Sequence, residues 1–218
     1  MAKVVIFGTK DTAQLADYYI NRDTEHEVVA FTVNYSEIPA GALFCGKPVV
    51  PWEEVENAYT PRENMLFIPM TGREMNKLRE RLYWEGKAKG YHYISYVSPH
   101  ATVCGNEIGE NCFIQEDNTL QPFTKIGNNV VMWAGNHIGH HGIIHDHVFF
   151  TSHVVLSGHC DVGAFSWFGV NSTIRDGLTI GEGTFVAAGA LVTKDTTQWR
   201  GQLGAPAREF KDSLELNP

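Results

Sequence analysis

Residues 108–144 read IGENCFIQEDNTLQPFTKIGNNVVMWAGNHIGHHGII. Every sixth residue of this stretch is apolar, and the series runs on without a miss or an insertion: Ile108, Ile114, Leu120, Ile126, Met132, Ile138, Ile144, Phe150, Leu156, Val162, Phe168, Ile174, Ile180, Val186 and Val192. A helix repeats at 3.6 residues and a strand at 2, so neither alone gives a period of six. A chain that makes a short strand and a corner in each repeat does, and this spacing predicts a parallel β-helix. Three hexads make one triangular turn of about 18 residues, so the fifteen hexads predict about five coils. The residue four beyond each apolar position is mostly small (Cys112, Asn118, Thr124, Asn136, Gly142, Cys160, Ser166, Ser172, Thr184, Ala190, Thr196), as a narrow coil interior requires. Ile-Gly or Val-Gly pairs at 108, 126, 162 and 180 fall in one column, in which Ile144 is followed by His145 in place of glycine.

Outside the repeat the pattern changes. Val4–Phe7, Val28–Val33, Pro48–Val50 and Met65–Ile68 read as short buried strands. Thr12–Ile20 reads as a helix with Leu15, Tyr18 and Tyr19 on one face, and Arg73–Tyr83 as a charged amphipathic helix. This β-α-β-β-α order predicts a small open parallel sheet of Rossmann-like type. The expected division is a domain over residues 1–98 and a β-helix over residues 99–218, with Gly201–Phe210 as a loop before a short tail. A β-helix leaves an open end and flat faces, which suit a covering domain and a symmetric trimer.

Composition narrows the function. The net charge is −8, and residues 99–218 hold 6 basic against 12 acidic side chains, which argues against nucleic acid as the partner. No apolar run approaches the length of a membrane span, and the apolar part of the N-terminus is too short for a signal peptide, so no membrane partner and a cytoplasmic location are expected. Cys45, Cys104, Cys112 and Cys160 lack metal-type spacing and read as free thiols.

Seven of the ten histidines lie in one short stretch: His137, His140, His141, His145, His147, His153 and His159. None occupies an apolar hexad position, so several read as corner or surface residues. Histidine is the side chain best matched to proton transfer near neutral pH and the commonest metal ligand. His140 stands two residues past Ile138, on a turn pointing out of the coil.

With its Rossmann-like first half, "GNHIGHHGIIHDHVFFTSHVVLSGHCDVGAFSWFGVNSTI" and "GAPAREF", the chain resembles the bacterial hexapeptide-repeat sugar acyltransferases of the sialic acid O-acetyltransferase, UDP-4-amino-sugar N-acetyltransferase and GDP-perosamine N-acetyltransferase type. The resemblance implies a left-handed β-helix, a homotrimer with active sites between subunits, and acetyl-CoA as acyl donor. It implies an amine or hydroxyl of a nucleotide-linked sugar as acceptor, in cell-surface polysaccharide biosynthesis. The family's general base falls on His140. The acid that commonly follows it is replaced by His141, which leaves Asp146 as the nearest carboxylate in sequence to orient the base. Positions matching acetyl-CoA contacts are Gly158, Val170 and Ala188, while a family cofactor-contacting histidine corresponds to Phe149 and is not carried over. Lys194, Arg208 and Lys211 are cations for the cofactor phosphates or simply solvated charges. For the nucleotide-sugar, the loop Gly8, Thr9 and Lys10 and the residue Asn34 occupy the places where family members bind it, although the loop is not GxGxxG and equally reads as a packing turn.

No resident metal is expected. Two alternatives stay open. The γ-type carbonic anhydrases share the β-helix and hold a metal with histidines, two of them five residues apart, a spacing that His140 and His145 match; upstream only His100 is nearby. A non-catalytic scaffold is the other.

Overall fold

The computed structural model describes residues 1–216. By internal contacts the chain falls into two units, one of residues 1–70 and 81–96 and one of residues 71–80 together with the chain from Val97 onward. Thr71–Glu80 thus packs with the coils, which the sequence pattern did not anticipate.

The first unit is built on a five-stranded sheet. Its elements are β1 (Lys3–Phe7), α1 (Asp11–Asp23), β2 (Glu27–Val33), β3 (Leu43–Phe44), β4 (Lys47–Pro51), α2 (Val55–Ala58) and β5 (Asn64–Phe67), followed by α3 (Lys77–Ala88), whose first turn belongs to the other unit. The strand order is β3-β4-β2-β1-β5. β1 pairs in parallel with β2 and β5, and β2 with β4, while β3 is an antiparallel edge. Val4, Val5 and Ile6 are wholly buried, as expected for a central parallel strand covered on both faces.

Two helix expectations need correction. The buried face of α1 is Ala13, Ala16, Asp17, Tyr19 and Ile20, whereas Leu15 and Tyr18 are exposed. The helix expected from Arg73 starts only at Lys77, because Glu74, Met75 and Asn76 all take left-handed backbone (φ 54°, 49° and 68°), which interrupts a right-handed helix.

The second unit is a parallel β-helix with three faces. Face 1 stacks Lys125–Ile126, Ile143–Ile144, Asp161–Val162 and Thr179–Ile180. Face 2 stacks Phe113–Ile114, Val131–Met132, Phe149–Phe150, Trp167–Phe168 and Phe185–Val186. Face 3 stacks Thr119–Leu120, His137–Ile138, Val155–Leu156, Thr173–Ile174 and Leu191–Val192. Within these stacks each residue pairs with the one 18 positions on, as His137 does with Val155. Of the apolar hexad series, all are buried except Ile108, which is half-buried at the end of the stack and bridges to Ile126. Asn118 and Asn136 occupy the interior and remain satisfied: Asn136 Nδ2 donates to Asn118 Oδ1 (2.9 Å), and Val154 N donates to Asn136 Oδ1 (2.8 Å).

Corners follow the same period. Every sixth residue from Asn111 to Gly189 has φ between 54° and 81°. Asn, Asp and His are the non-glycine residues that most often take this region, and they fill most of the non-glycine corners, with Phe123 and Phe165 as the exceptions. His141, His147, His153 and His159 all hold such corner positions. Backbone geometry therefore accounts for over half of the histidine cluster.

The outer surface of face 2 is aromatic. Phe149, Trp167 and Phe185 stack in succession at 6.1 Å and 4.8 Å. Thr71–Glu80 covers it: Arg79 lies 5.8 Å from the Phe149 ring, and a Cβ on Gly72 would strike Trp167. The stretch expected to be a loop after Gly201 is instead a hairpin, in which Arg200–Leu203 pairs antiparallel with Arg208–Asp212.

Candidate active site

The seven clustered histidines separate in space. Six residues carry the chain only one third of the way round, so residues close in sequence lie on different corners while residues 18 apart touch. His140, His141 and His159 share the corner between faces 3 and 1. His145 and His147 lie on the corner between faces 1 and 2, and His153 on the corner between faces 2 and 3. His137 lies on face 3 itself.

At the first of these corners the rings are in contact. Nδ1 of His140 lies 3.1 Å from Nδ1 of His141, so one of the pair donates the shared proton to the other. When His140 donates, its Nε2 lone pair is free to take a proton. His141 and His159, one coil apart, stack at 5.2 Å with 16° between their planes. His140 stands edge-on to both, at 5.1 Å and 5.0 Å. All three are exposed, and their ligand atoms lie within 4.8 Å of one another. Gln121 Oε1 accepts from the His140 backbone N–H (3.1 Å), and Phe123, one coil before His141, packs on it at 4.6 Å. Gly158 leaves room for the His140 ring: a Cβ there would lie 2.9 Å from Cε1 and 3.1 Å from both of its nitrogens.

Asp146 does not orient His140. It lies six residues on, at the next corner, where its Oδ1 accepts from the Asn128 backbone N–H (2.7 Å). His145 is also there, with Nε2 3.0 Å from Asp161 Oδ1, so within one chain His140 and His145 do not come together. His147 holds a corner position, as expected, but is buried there. Asn111 Nδ2 donates to Asn129 Oδ1 (2.6 Å), and Asn129 Nδ2 in turn faces His147 Nδ1 (2.9 Å), which fixes that nitrogen as the acceptor of a neutral ring. Arg79 Nη2 donates to the backbone oxygens of His147 (3.0 Å) and Val148 (3.3 Å). Burial first, and the Arg79 charge second, lower the His147 pKa to about 4, against a smaller opposing pull from Asp146.

The expected acetyl-CoA positions flank face 3. Val170 and Ala188 sit one coil apart on the corner before it, and Gly158 on the corner after it. Between them the face presents the exposed side chains of Val155 and Leu191. Lys194 is exposed two coils beyond Gly158 in the column of His140. Arg208 follows Ala207, whose N–H donates to Leu191 O (2.7 Å) at the end of face 3; Lys211 is further along the terminal strand. In the other unit, Gly8, Thr9, Lys10 and Asn34 share the carboxyl edge of the sheet, where Gly8 N donates to Thr32 O (2.9 Å). Asn34 turns its amide toward Glu37 (3.4 Å).

Gln121 and Phe123 were not singled out from the sequence, and His159 was named only as one of the seven clustered histidines. The signal for them was present: Phe123, His141 and His159 are spaced by 18, so the period that gave the fold also gives the column.

Fold and site together define a β-helix of six-residue repeats that carries an exposed histidine cluster on one corner. No family model matches the sequence. The structure is similar to that of the acetyltransferase domain of PglB from Neisseria gonorrhoeae (19% identity, 96% of this chain and 100% of that one, TM-score 0.85), which has also been solved in complex with acetyl coenzyme A. It is similar, too, to a histidine-to-asparagine mutant of perosamine N-acetyltransferase from Caulobacter crescentus, solved with CoA and GDP-perosamine (21% identity, 97% and 98%, TM-score 0.83). At such identities the likeness establishes a shared fold. In sequence the chain is 30% identical over 109 residues to the acyl-[acyl-carrier-protein]–UDP-N-acetylglucosamine O-acyltransferase of Campylobacter concisus, covering 47% of this chain and 41% of that relative. The chain thus spans less than half the length of that relative.

Proposed function

We propose that the protein is an acetyl-CoA-dependent acetyltransferase acting on a nucleotide-linked sugar, at an amine or, alternatively, a hydroxyl. The observation that carries this reading is the exposed His140, hydrogen-bonded through Nδ1 to His141 and seated over Gly158. His140 Nε2 removes the proton as the sugar nitrogen attacks the thioester carbonyl. The new N–C bond forms, the C–S bond breaks, and CoA leaves as the thiolate. A base so placed contributes roughly 10²–10⁴-fold to the rate. His141 orients the ring and supplies no negative charge.

The acyl donor lies along the outer surface of face 3, from Val170 and Ala188 toward Gly158. Val155 and Leu191 offer it apolar surface, and Lys194, Arg208 and Lys211 meet its phosphates. Gly8, Thr9, Lys10 and Asn34 hold the nucleotide at the carboxyl edge of the N-terminal sheet, where open parallel sheets bind ligands beside the strand at which the order reverses, here β1. This reading takes the N-terminal unit as Rossmann-like (residues 1–98) and the coil as left-handed (residues 99–218). It also takes the assembly as a homotrimer and the location as cytoplasmic. Support comes from the shared fold, the corner period and the strand order. No helix among the described residues is long and apolar enough to cross a membrane.

The test is release of CoA thiol from acetyl-CoA with a panel of UDP-, GDP- and dTDP-linked amino sugars. Acetylation of at least one is expected, with His140→Ala reducing turnover at least about a hundredfold. No thiol release with any of them would leave the scaffold reading standing.

A further inference from the structure

We propose that His140, His141 and His159 form a binding site for a divalent transition-metal ion of the zinc class, and that the bound ion withdraws His140 from proton transfer. The second half rests on the acetyltransferase reading; the first does not.

Three features support the site. The three imidazoles are the one group of potential ligands among the described residues whose donor atoms all lie within 4.8 Å of one another. Around a tetrahedral ion with bonds of 2.0–2.1 Å, neighbouring nitrogens stand about 3.3 Å apart. The 3.1 Å between His140 and His141 nearly meets that spacing; the His141 and His159 rings, stacked within 16° of parallel, turn on binding so that their nitrogens converge, which their exposure allows. Second, the cluster is held by backbone geometry. His141 and His159 are successive left-handed corner residues of one column (φ 56° and 58°), and the His159 N–H donates to the His140 carbonyl (2.8 Å). Third, the next residue in the column is Gly177, around which nothing lies within the reach of a Cβ. The cluster is thus open on one side, with room for water as a fourth ligand.

The donor set selects the ion. Three neutral imidazoles suit zinc, copper or nickel and are poor ligands for magnesium or calcium. Once a His140 nitrogen is committed to the metal, either its Nε2 lone pair or its contact with His141 is lost, and the base is silenced.

The experiment titrates chelator-stripped, full-length protein with Zn²⁺ by calorimetry, for the native chain and for His159→Ala. It also measures carbethoxylation of His140 by diethyl pyrocarbonate, with and without Zn²⁺, by mass spectrometry. One Zn²⁺ per chain is expected, weakened at least about tenfold in His159→Ala, with His140 protected by the ion in the native chain only. Where an acceptor sugar has been identified, Zn²⁺ suppresses thiol release in the native chain at concentrations that leave His159→Ala uninhibited. Absence of binding, or binding unaffected by His159→Ala, overturns the site. Stoichiometric binding that leaves His140 equally reactive overturns the withdrawal of the base. Because calorimetry and labelling need no acceptor, failure of the acetyltransferase reading is scored separately.

Discussion

Replacing His147 with asparagine should make the β-helix markedly less sensitive to acid. In the folded chain the His147 ring is buried, Nδ1 faces the Asn129 amide, and Arg79 lies on the backbone beside it. Together these lower its pKa from 6.5 to about 4. The unfolded chain therefore takes up this proton at a higher pH than the folded chain. The stability of the neutral ring is fully present above 6.5 and is lost as pH falls toward about 4. The full difference corresponds to about 3 kcal/mol. Between about pH 7.5 and about pH 5 the share lost is about 2 kcal/mol. Asparagine is the informative substitute because Asn111 and Asn129 already occupy the two preceding positions of the column with the same left-handed backbone (φ 54° and 57°), and it does not titrate. Urea unfolding followed by circular dichroism at both pH values gives the stability of each protein. Taking the difference between native chain and variant cancels the other titrating groups. The native chain should lose about 2 kcal/mol more than His147→Asn on acidification. Equal losses would refute the argument that this ring is held neutral by burial.

Two further substitutions probe the corner. Gly158→Ala places a methyl group 2.9 Å from the His140 ring. The obstacle is an exposed side chain and not backbone, so thermal unfolding should change little while turnover falls by about tenfold or more through displacement of the base; a fully active variant would mean that His140 does not work from this position. His141→Asp keeps a residue that tolerates the left-handed corner and supplies a carboxylate beside His140. An adjacent carboxylate stabilises the imidazolium that forms as the base takes its proton, so kcat should rise; unchanged turnover would show that this side chain does not touch the base electrostatically.

Much of the architecture was legible because a β-helix writes itself into sequence with a fixed period. The apolar residue of each hexad must point inward, and a one-residue error would place it outside, so the series from Ile114 to Val192 maps directly onto buried side chains. The site was less legible for the same geometric reason. Proximity along the chain suggested Asp146 and His145 as partners of His140, but six residues turn the chain through one third of a coil. The true neighbours, Gly158 and His159, lie about one coil away. His147 holds a corner as expected, but its burial was hidden because a corner residue is exposed only where nothing covers the corner, and the covering residue, Arg79, comes from a segment 68 positions earlier. That long-range packing carries no local periodicity. The interruption before α3 was hidden likewise, since Glu74, Met75 and Asn76 include two good helix formers that tertiary structure holds in left-handed backbone.

Assigning acetyl transfer to His140 is the central claim, and single-turnover acetylation of an accepted nucleotide-linked amino sugar tests it most directly. Native protein and His140→Ala are each preloaded with acetyl-CoA, and the acetylated sugar is followed by mass spectrometry across pH. The account predicts that the chemical step slows at least about a hundredfold in His140→Ala and that the variant stays folded. An undiminished single-turnover rate in the folded variant would contradict it.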